Sequence, residues 1–170
     1  MSPISIFRPI SGKHSMRVLA AIKLFYLYLI YWFVGLDEEG FQIGKGAYLI
    51  EMKMYPAAAK AYQRALKETD SVYVHSALGY CYLCMNIYDK AINTLNLVYK
   101  RKPTLDVAIW LAYAHHHNGN TEECAKFYQV LKESNAPKSQ EVLEEIHTIE
   151  AMLQEVASIK NDGVVEVKNA

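Results

Sequence analysis

Two short runs of this 170-residue sequence contain the side chains best suited to metal or redox chemistry. One is the pair Cys81 and Cys84, and the other is the histidine triplet at positions 115 to 117. Thiolate and imidazole are common zinc ligands and bind the ion in tetrahedral sets. The cysteine pair falls inside a predicted helix, and no second Cys-x-x-Cys or His-x-x-x-His spacing accompanies it. Packing, or surface exposure of the histidines, is therefore favoured over a metal site.

Redox and disulfide roles are also disfavoured by the positions and number of the cysteines. A reactive Cys-x-x-Cys pair sits at an exposed helix start, whereas this pair lies mid-helix. The chain has three cysteines, an odd number, with Cys124 as the third. A framework of paired disulfides is therefore not expected.

The composition and motifs argue against an enzyme and against a nucleic-acid-binding protein. The sequence contains 18 basic and 18 acidic residues, so no net charge would attract a polyanion. It has no phosphate-binding loop, no nucleophile elbow and no paired-carboxylate motif. We therefore expect no catalytic residue, no cofactor, no metal and no nucleic-acid partner.

One pattern with a period of 33 residues organises most of the chain. Each repeat contains two small residues followed four positions after the second by a bulky one. The three sets are Gly46, Ala58 and Tyr62; Gly79, Ala91 and Leu95; and Ala112, Cys124 and Tyr128. Small residues let two antiparallel helices approach closely, and bulky ones fill the space between hairpins. A fixed period of this length predicts stacked helical hairpins over residues 39–71, 72–104 and 105–137.

Turn signals agree with this division. The hairpins end at Thr69-Asp70-Ser71, Lys102-Pro103-Thr104 and Asn135-Ala136-Pro137, where polar residues and prolines break helices. Inside the third hairpin, Asn118-Gly119-Asn120 is a good turn, and Asn86 and Lys53 occupy the corresponding positions of the other two.

The repeats resemble the tetratricopeptide repeat (TPR) family. The second copy matches best, with Leu78-Gly79-Tyr80-Cys81-Tyr82 followed by Ala91 and Pro103, while the third has His115 where an aromatic residue is usual. The resemblance covers residues 39–137. It implies an all-α fold, a TPR-like α-solenoid of three helical hairpins. It also implies a protein-binding scaffold. The hydrophobic helix that we expect before the solenoid and the capping helix that we expect after it rest on the patterns of residues 18–36 and 138–160.

In the TPR family the first helix of each hairpin lines a concave groove that holds the ligand. Transferred by phase, the groove residues implied here are Ile43, Ala47, Ile50, Tyr73, Ser76, Tyr80, Leu83, Ile109, Tyr113, His116 and His117. The polar and basic side chains that bind acidic chaperone C-termini are missing from these positions. A mostly apolar lining suits a helix or an extended apolar segment of a partner protein. The alternative is that these side chains pack against another part of the same chain.

Residues 18–36 form an apolar run in which Lys23 is the only charge. A helix of 19 residues is about 28 Å long, close to the apolar thickness of a bilayer. The preceding segment, residues 1–17, is basic and free of acids, and Asp37 and Glu38 follow the run. This asymmetry predicts a single-pass membrane anchor with its N-terminus on the cytoplasmic or matrix side.

Other interpretations of this run stay open. Tyr26, Tyr28, Tyr31 and Trp32 lie in its middle and end, whereas membrane helices place such residues mainly at interfaces. An aromatic helix of this kind is also suited to pack within the fold. A cleaved secretory signal is less favoured because no small-x-small cleavage site follows, and residues 1–17 weakly resemble a mitochondrial presequence.

The C-terminal segment predicts a capping helix over residues 138–160, followed by a flexible tail at 161–170. Ser139 can N-cap the helix. Its apolar residues recur every three or four positions, at Val142, Ile146, Ile149, Leu153 and Val156. Glutamates including Glu145 are expected on the opposite face. A helix that covers the last hairpin is what a solenoid requires for solubility. A short dimeric coiled coil is the alternative.

Together these features predict a membrane-anchored, non-catalytic TPR adaptor that binds a partner protein through its groove and assembles or stabilises a membrane-associated complex. The alternative is a soluble structural or scaffold TPR subunit whose N-terminal helix packs into its own groove.

Overall fold

The computed structural model describes residues 13–35 and 37–168, with side chains from residue 17 to residue 159 apart from residue 36. In these ranges every regular element is an α-helix. The helices are α1 (Lys13–Val34), α2 (Glu38–Glu51), α3 (Tyr55–Ala65), α4 (Val72–Cys84), α5 (Tyr88–Arg101), α6 (Leu105–His117), α7 (Thr121–Glu133) and α8 (Gln140–Lys168). Most of the predicted basic segment, residues 1–12, lies outside the described residues.

The helices form two compact units. One contains α1 to α5 and ends at Lys102, and the other contains α6 to α8 and begins at Pro103. In the first unit α2 pairs with α3, α4 pairs with α5, α3 also contacts α4, and α1 packs on α2. In the second unit α6 pairs with α7, and α8 contacts both. The three hairpins follow the 33-residue pattern of the sequence.

The turn inside each hairpin has the same geometry. Lys53, Asn86 and Gly119, spaced 33 residues apart, all have left-handed backbone conformations, with φ values of 60°, 60° and 79°. The amide after each donates to the carbonyl five residues earlier, at Leu49, Tyr82 and His115, over 2.8–2.9 Å. This is the Schellman pattern, which satisfies the last carbonyls of the first helix. The period therefore extends to the hydrogen bonds of the backbone.

Close approach of the paired helices explains the repeated glycines. A Cβ at Gly46 would lie 2.6 Å from the ring of Tyr62, and a Cβ at Gly79 would lie 2.6 Å from the side chain of Leu95. Both partners are fully buried. The bulky residue 16 positions after each glycine therefore packs directly against the backbone of the first helix.

The second unit is built around α6. Its residues from Val107 to His115 are all buried, so this helix has no exposed face along most of its length. Ile146 and Ile149 of α8 are buried as well, as the spacing of the C-terminal segment predicts. Glu145 differs from the expectation that it faces away, because it is only 3% exposed and accepts a 2.5 Å hydrogen bond from the hydroxyl of Tyr113. That hydrogen bond explains how a carboxylate can be buried here.

Helix α8 continues to Lys168, eight residues beyond the predicted end at Lys160. The sequence predicts a flexible tail for 161–170, but the backbone of 161–168 is helical, and residues 169 and 170 lie outside the described residues. No proline interrupts this stretch, and each residue added to an existing helix gains one backbone hydrogen bond.

Candidate functional site

The cysteines are placed for packing. Cys81 and Cys124 are fully buried, Cys84 is half-buried, and all three are free thiols. Burial raises the pKa of Cys81 to about 12 and that of Cys124 to about 11. Both are therefore protonated at neutral pH, and the thiolate that would attack a disulfide is not formed.

The histidine triplet ends α6. His115 is buried and stacks on Phe127, with ring centroids 5.8 Å apart. The Nδ1 atoms of His115 and His116 are buried without a hydrogen-bond partner. Burial lowers the pKa of His115, so its imidazole is neutral at pH 7. Among the residues that the structure describes, no group of three or more His, Cys, Asp or Glu side chains could hold a metal ion.

Exposure divides the predicted groove residues. On α2, Ile43, Ala47 and Ile50 are half-buried and share one face of the helix, because they are spaced by four and three residues. They remain partly accessible to a partner.

On α4, the predicted groove residues include both extremes of exposure. Tyr73 is 58% exposed, and Ser76 is half-buried. Tyr80 and Leu83 are buried, and the ring of Tyr80 meets that of Tyr55 edge to face at 6.3 Å. A partner therefore has direct access to the N-terminal half of α4 and not to the other half.

On α6, Ile109 and Tyr113 are fully buried, His116 is half-buried and His117 is exposed. Tyr113 is held by Glu145 of α8, as described above. A partner could reach Ile109 or Tyr113 only if parts of this chain moved. These two side chains thus belong to the packed interior.

Helix α1 packs along α2 in an antiparallel arrangement. At one end the guanidinium of Arg17 donates to the carbonyl of Met52 at 3.3 Å, and at the other the hydroxyl of Tyr31 donates to Glu38 at 2.9 Å. Between them Leu27 lies over Gly44, where a Cβ would approach the Leu27 side chain to 3.1 Å. Helix α2 therefore contacts α1 along its whole length, and α1 contacts α2 from Arg17 to Tyr31.

Polar and aromatic contacts reinforce this packing. The ammonium of Lys23 lies 3.8 Å from the carboxylate of Glu51 and 5.8 Å from the ring centroid of Tyr48. Phe41, only 4% exposed, stacks on the ring of Tyr31 at 4.3 Å. Hydrogen bonds from Gln42 and Tyr31 lower the pKa of the Glu38 carboxyl. The inner face of α1 thus packs on α2 through both apolar and polar contacts.

The outer face of α1 is apolar and exposed. Val18, Ile22, Phe25, Tyr26, Trp32 and Phe33 are between 46% and 80% exposed. By length and composition α1 is the one helix in the described ranges that could cross a membrane. Several large apolar side chains exposed along one face of a helix are typical of an interaction site.

The sequence did not separate these two faces. Two features of the sequence could have indicated an antiparallel pair of helices. Lys23, the only charge of the apolar run, could pair with the acidic Glu51 of the following helix, and the small Gly44 would allow close approach. Helix α1 contacts α2 at Phe41, Gly44 and Glu51. Since successive helical residues are 100° apart, these three positions lie on a different face of α2 from Ile43, Ala47 and Ile50. Hence α1 is not packed on the predicted groove face of α2.

Comparison with solved structures establishes the fold. Two structures named MamA AMB-1, in crystal forms P212121 and C2221, align with TM-scores of 0.63 and 0.62 at 18% and 17% identity. A MamA MSR-1 structure aligns with a TM-score of 0.61 at 16% identity. Each alignment covers 92% of this chain, and 87%, 92% and 92% of those chains respectively. This chain has the fold of a TPR-like α-solenoid.

The TPR-like fold confirms the predicted fold class, with three hairpins, a preceding hydrophobic helix and a final helix. At these identities the likeness shows the fold alone. No family model matches the sequence, and no curated protein matches it.

Proposed function

We propose that this chain is a non-catalytic adaptor of the TPR family that binds a partner protein while α1 holds it at a membrane. The observation that carries the proposal is the exposed, apolar outer face of α1 on an otherwise well-packed helical scaffold. Such a face is unfavourable in water unless a membrane or another molecule covers it. Repeat scaffolds supply packed surfaces and no preorganised acid, base and nucleophile, which supports a non-enzymatic role.

The partner surface that we propose is the accessible part of the predicted groove in the first unit. It contains Ile43, Ala47 and Ile50 of α2, with Tyr73 and Ser76 of α4. These side chains are uncharged, and Tyr73 offers a large amphipathic surface of the kind enriched at interfaces. The partner is expected to present an amphipathic helix or an extended apolar segment.

Site-specific photo-crosslinking tests the partner surface. A benzoylphenylalanine at Tyr73 should give a discrete protein adduct, whereas the same group at Leu97, 52% exposed on α5, should not. Adding Ser76→Arg, a charge one helical turn away, should abolish the Tyr73 adduct without altering the circular dichroism spectrum. The same adducts at both positions, or an adduct unaffected by Ser76→Arg, would remove this surface from the proposal.

Fractionation of the same cells tests the membrane association. The full chain should sediment with membranes, and Phe25→Glu/Phe33→Glu on the outer face of α1 should shift it to the soluble fraction. The paired exposed substitutions Leu97→Glu/Val130→Glu add the same charge elsewhere and should leave it with membranes. A wild-type chain found wholly in the soluble fraction would contradict membrane association.

A soluble structural subunit is the second candidate, and the packing of α1 on α2 favours it. In that case α1 completes the fold, and its outer face is covered by another subunit of a complex. The fractionation separates the two, because a soluble complex stays out of the membrane pellet and loses its large native mass on Phe25→Glu/Phe33→Glu.

A further inference from the structure

The antiparallel packing of α1 on α2 limits how α1 can meet a bilayer. Contacts run from Arg17 with Met52 to Tyr31 with Glu38, so α2 lies beside the central part of α1, from Arg17 to Tyr31. Helix α2 contains Glu38, Glu39, Lys45 and Glu51. If α1 spanned a bilayer with these contacts intact, the charged residues of α2 would enter the hydrocarbon region, which is strongly unfavourable. A spanning α1 must therefore leave α2.

The outer face of α1 has the width that a lipid surface requires. Helical residues are about 100° apart, so the uncharged outer side chains from Val18 to Phe33 cover roughly 180° of the helix. The contact stripe of a two-helix seam is narrower, because it uses two positions in seven. An interfacial helix, in contrast, sinks about half of its circumference into the boundary between headgroups and acyl chains.

The charges of the segment also suit a bilayer surface. No acidic residue precedes Asp37, while Lys13 and Arg17 lie in the first turns of α1. Lys23, the only charge within the apolar run, points to Glu51 on α2 and so leaves the outer face uncharged. Trp32, 80% exposed, is of the type that concentrates at membrane interfaces. Cations beside an apolar face are complementary to anionic headgroups.

We propose that α1 binds the surface of an anionic bilayer in the plane of the membrane, with its outer face immersed and its inner face still docked on α2. The inference rests on the membrane association proposed above and specifies its mode. It replaces the single-pass topology that the sequence alone predicts with an interfacial one.

A disulfide between α1 and α2 tests this mode. A Cβ at Gly44 would lie 3.8 Å from the Cγ of Leu27, so Leu27→Cys/Gly44→Cys places two sulfurs within bonding reach. The purified full chain is floated with vesicles of phosphatidylcholine plus phosphatidylglycerol, in oxidised and reduced forms. Each single cysteine variant controls for the three native thiols. We expect the oxidised, locked protein to float to the same extent as the reduced protein, and both to float less with phosphatidylcholine alone.

The other outcomes are distinguishable. If the reduced protein floats and the locked protein does not, α1 must leave α2 to insert; the in-plane mode is then wrong although membrane association stands. If neither form nor the wild type floats, the proposed membrane association fails.

A variant of the outer face provides the second measurement. Phe25→Glu/Phe33→Glu should weaken vesicle binding at least about tenfold, which corresponds to ~1.4 kcal/mol, because two exposed aromatic side chains no longer enter the lipid. Leu97→Glu/Val130→Glu should leave binding unchanged. If the outer-face variant instead converts a lipid-free dimer to a monomer in sedimentation and binds vesicles normally, the face joins two copies of this chain and the lipid proposal is wrong.

Discussion

At the scale of single residues, the three hairpin turns show how far a repeat can be read from sequence. The positions of Lys53, Asn86 and Gly119 follow from the 33-residue phase, but their shared left-handed backbone is a property of the folded turn. Glycine and asparagine adopt this conformation readily. Lysine has the steric clash of a Cβ with the backbone but lacks the short polar side chain with which asparagine forms a compensating local hydrogen bond. The left-handed conformation of the first turn is therefore unfavourable for Lys53.

Replacing Lys53 by glycine should therefore stabilise the protein. The left-handed conformation costs a residue with a Cβ about 1–2 kcal/mol, and the greater freedom of glycine in the unfolded chain offsets part of this. We expect Lys53→Gly to raise the free energy of unfolding by about 0.5–1 kcal/mol, measured by urea denaturation followed by circular dichroism.

The matched control has the opposite sign. Lys60 is an exposed lysine inside α3, where glycine disfavours the helix, so Lys60→Gly should lower stability by about 1 kcal/mol. If both substitutions destabilise equally, the left-handed backbone at Lys53 does not limit stability.

At the scale of secondary-structure elements, α8 is joined to α6 by a buried polar contact. The hydroxyl of Tyr113 donates to the carboxylate of Glu145, and both residues are at most 3% exposed. The apolar spacing of α8 predicts which residues face the hairpin, and Ile146 and Ile149 do so. It does not predict Glu145, because the partner of a buried carboxylate is distant in sequence and is found only after folding.

Removal of this hydrogen bond should loosen α8. Tyr113→Phe keeps the ring but deletes the donor to a carboxylate, and such bonds are worth about 1.5–3 kcal/mol. We expect a loss of stability of that size and faster hydrogen exchange of the backbone amides of α8. Tyr26→Phe removes the same hydroxyl at a side chain that is 60% exposed and should change neither measurement.

A compensating substitution makes the result specific. Tyr113→Phe/Glu145→Leu replaces both polar partners with apolar ones and should recover most of the loss. Equal losses in the single and double variants would show that the hydrogen bond is not what holds α8.

At the scale of the whole molecule, α1 belongs to the unit that contains α2 to α5, and its inner face contributes to that unit's packing. Phe41 is only 4% exposed while its ring packs against Tyr28 and Tyr31. The apolar run at the N-terminus is therefore part of the fold as well as a candidate membrane contact. The two roles reside on opposite faces of one helix.

A chain that starts at Asp37 should be less stable than the full chain. Uncovering Phe41 alone exposes an aromatic side chain worth about 1.5–3 kcal/mol, so we expect a lower melting temperature in thermal unfolding followed by circular dichroism. The full chain with Phe25→Glu/Phe33→Glu keeps the inner face and should melt at the wild-type temperature. A truncated chain that melts no earlier would show that α1 adds nothing to the fold.

By itself, the sequence was sufficient to predict an all-α, TPR-like architecture. A strict 33-residue period is compatible with few other folds, since each hairpin can bury its apolar face only against its neighbours. Exposure within that architecture was decided by tertiary packing. Their positions within the 33-residue repeat place Tyr73 and Tyr113 on the same predicted surface, yet Tyr73 is 58% exposed and Tyr113 is 1% exposed. The same holds for α1, whose apolar run looks uniform in sequence. Which half of it meets α2 depends on Gly44, Tyr48 and Glu51 of the next helix, and only the folded chain brings them beside it.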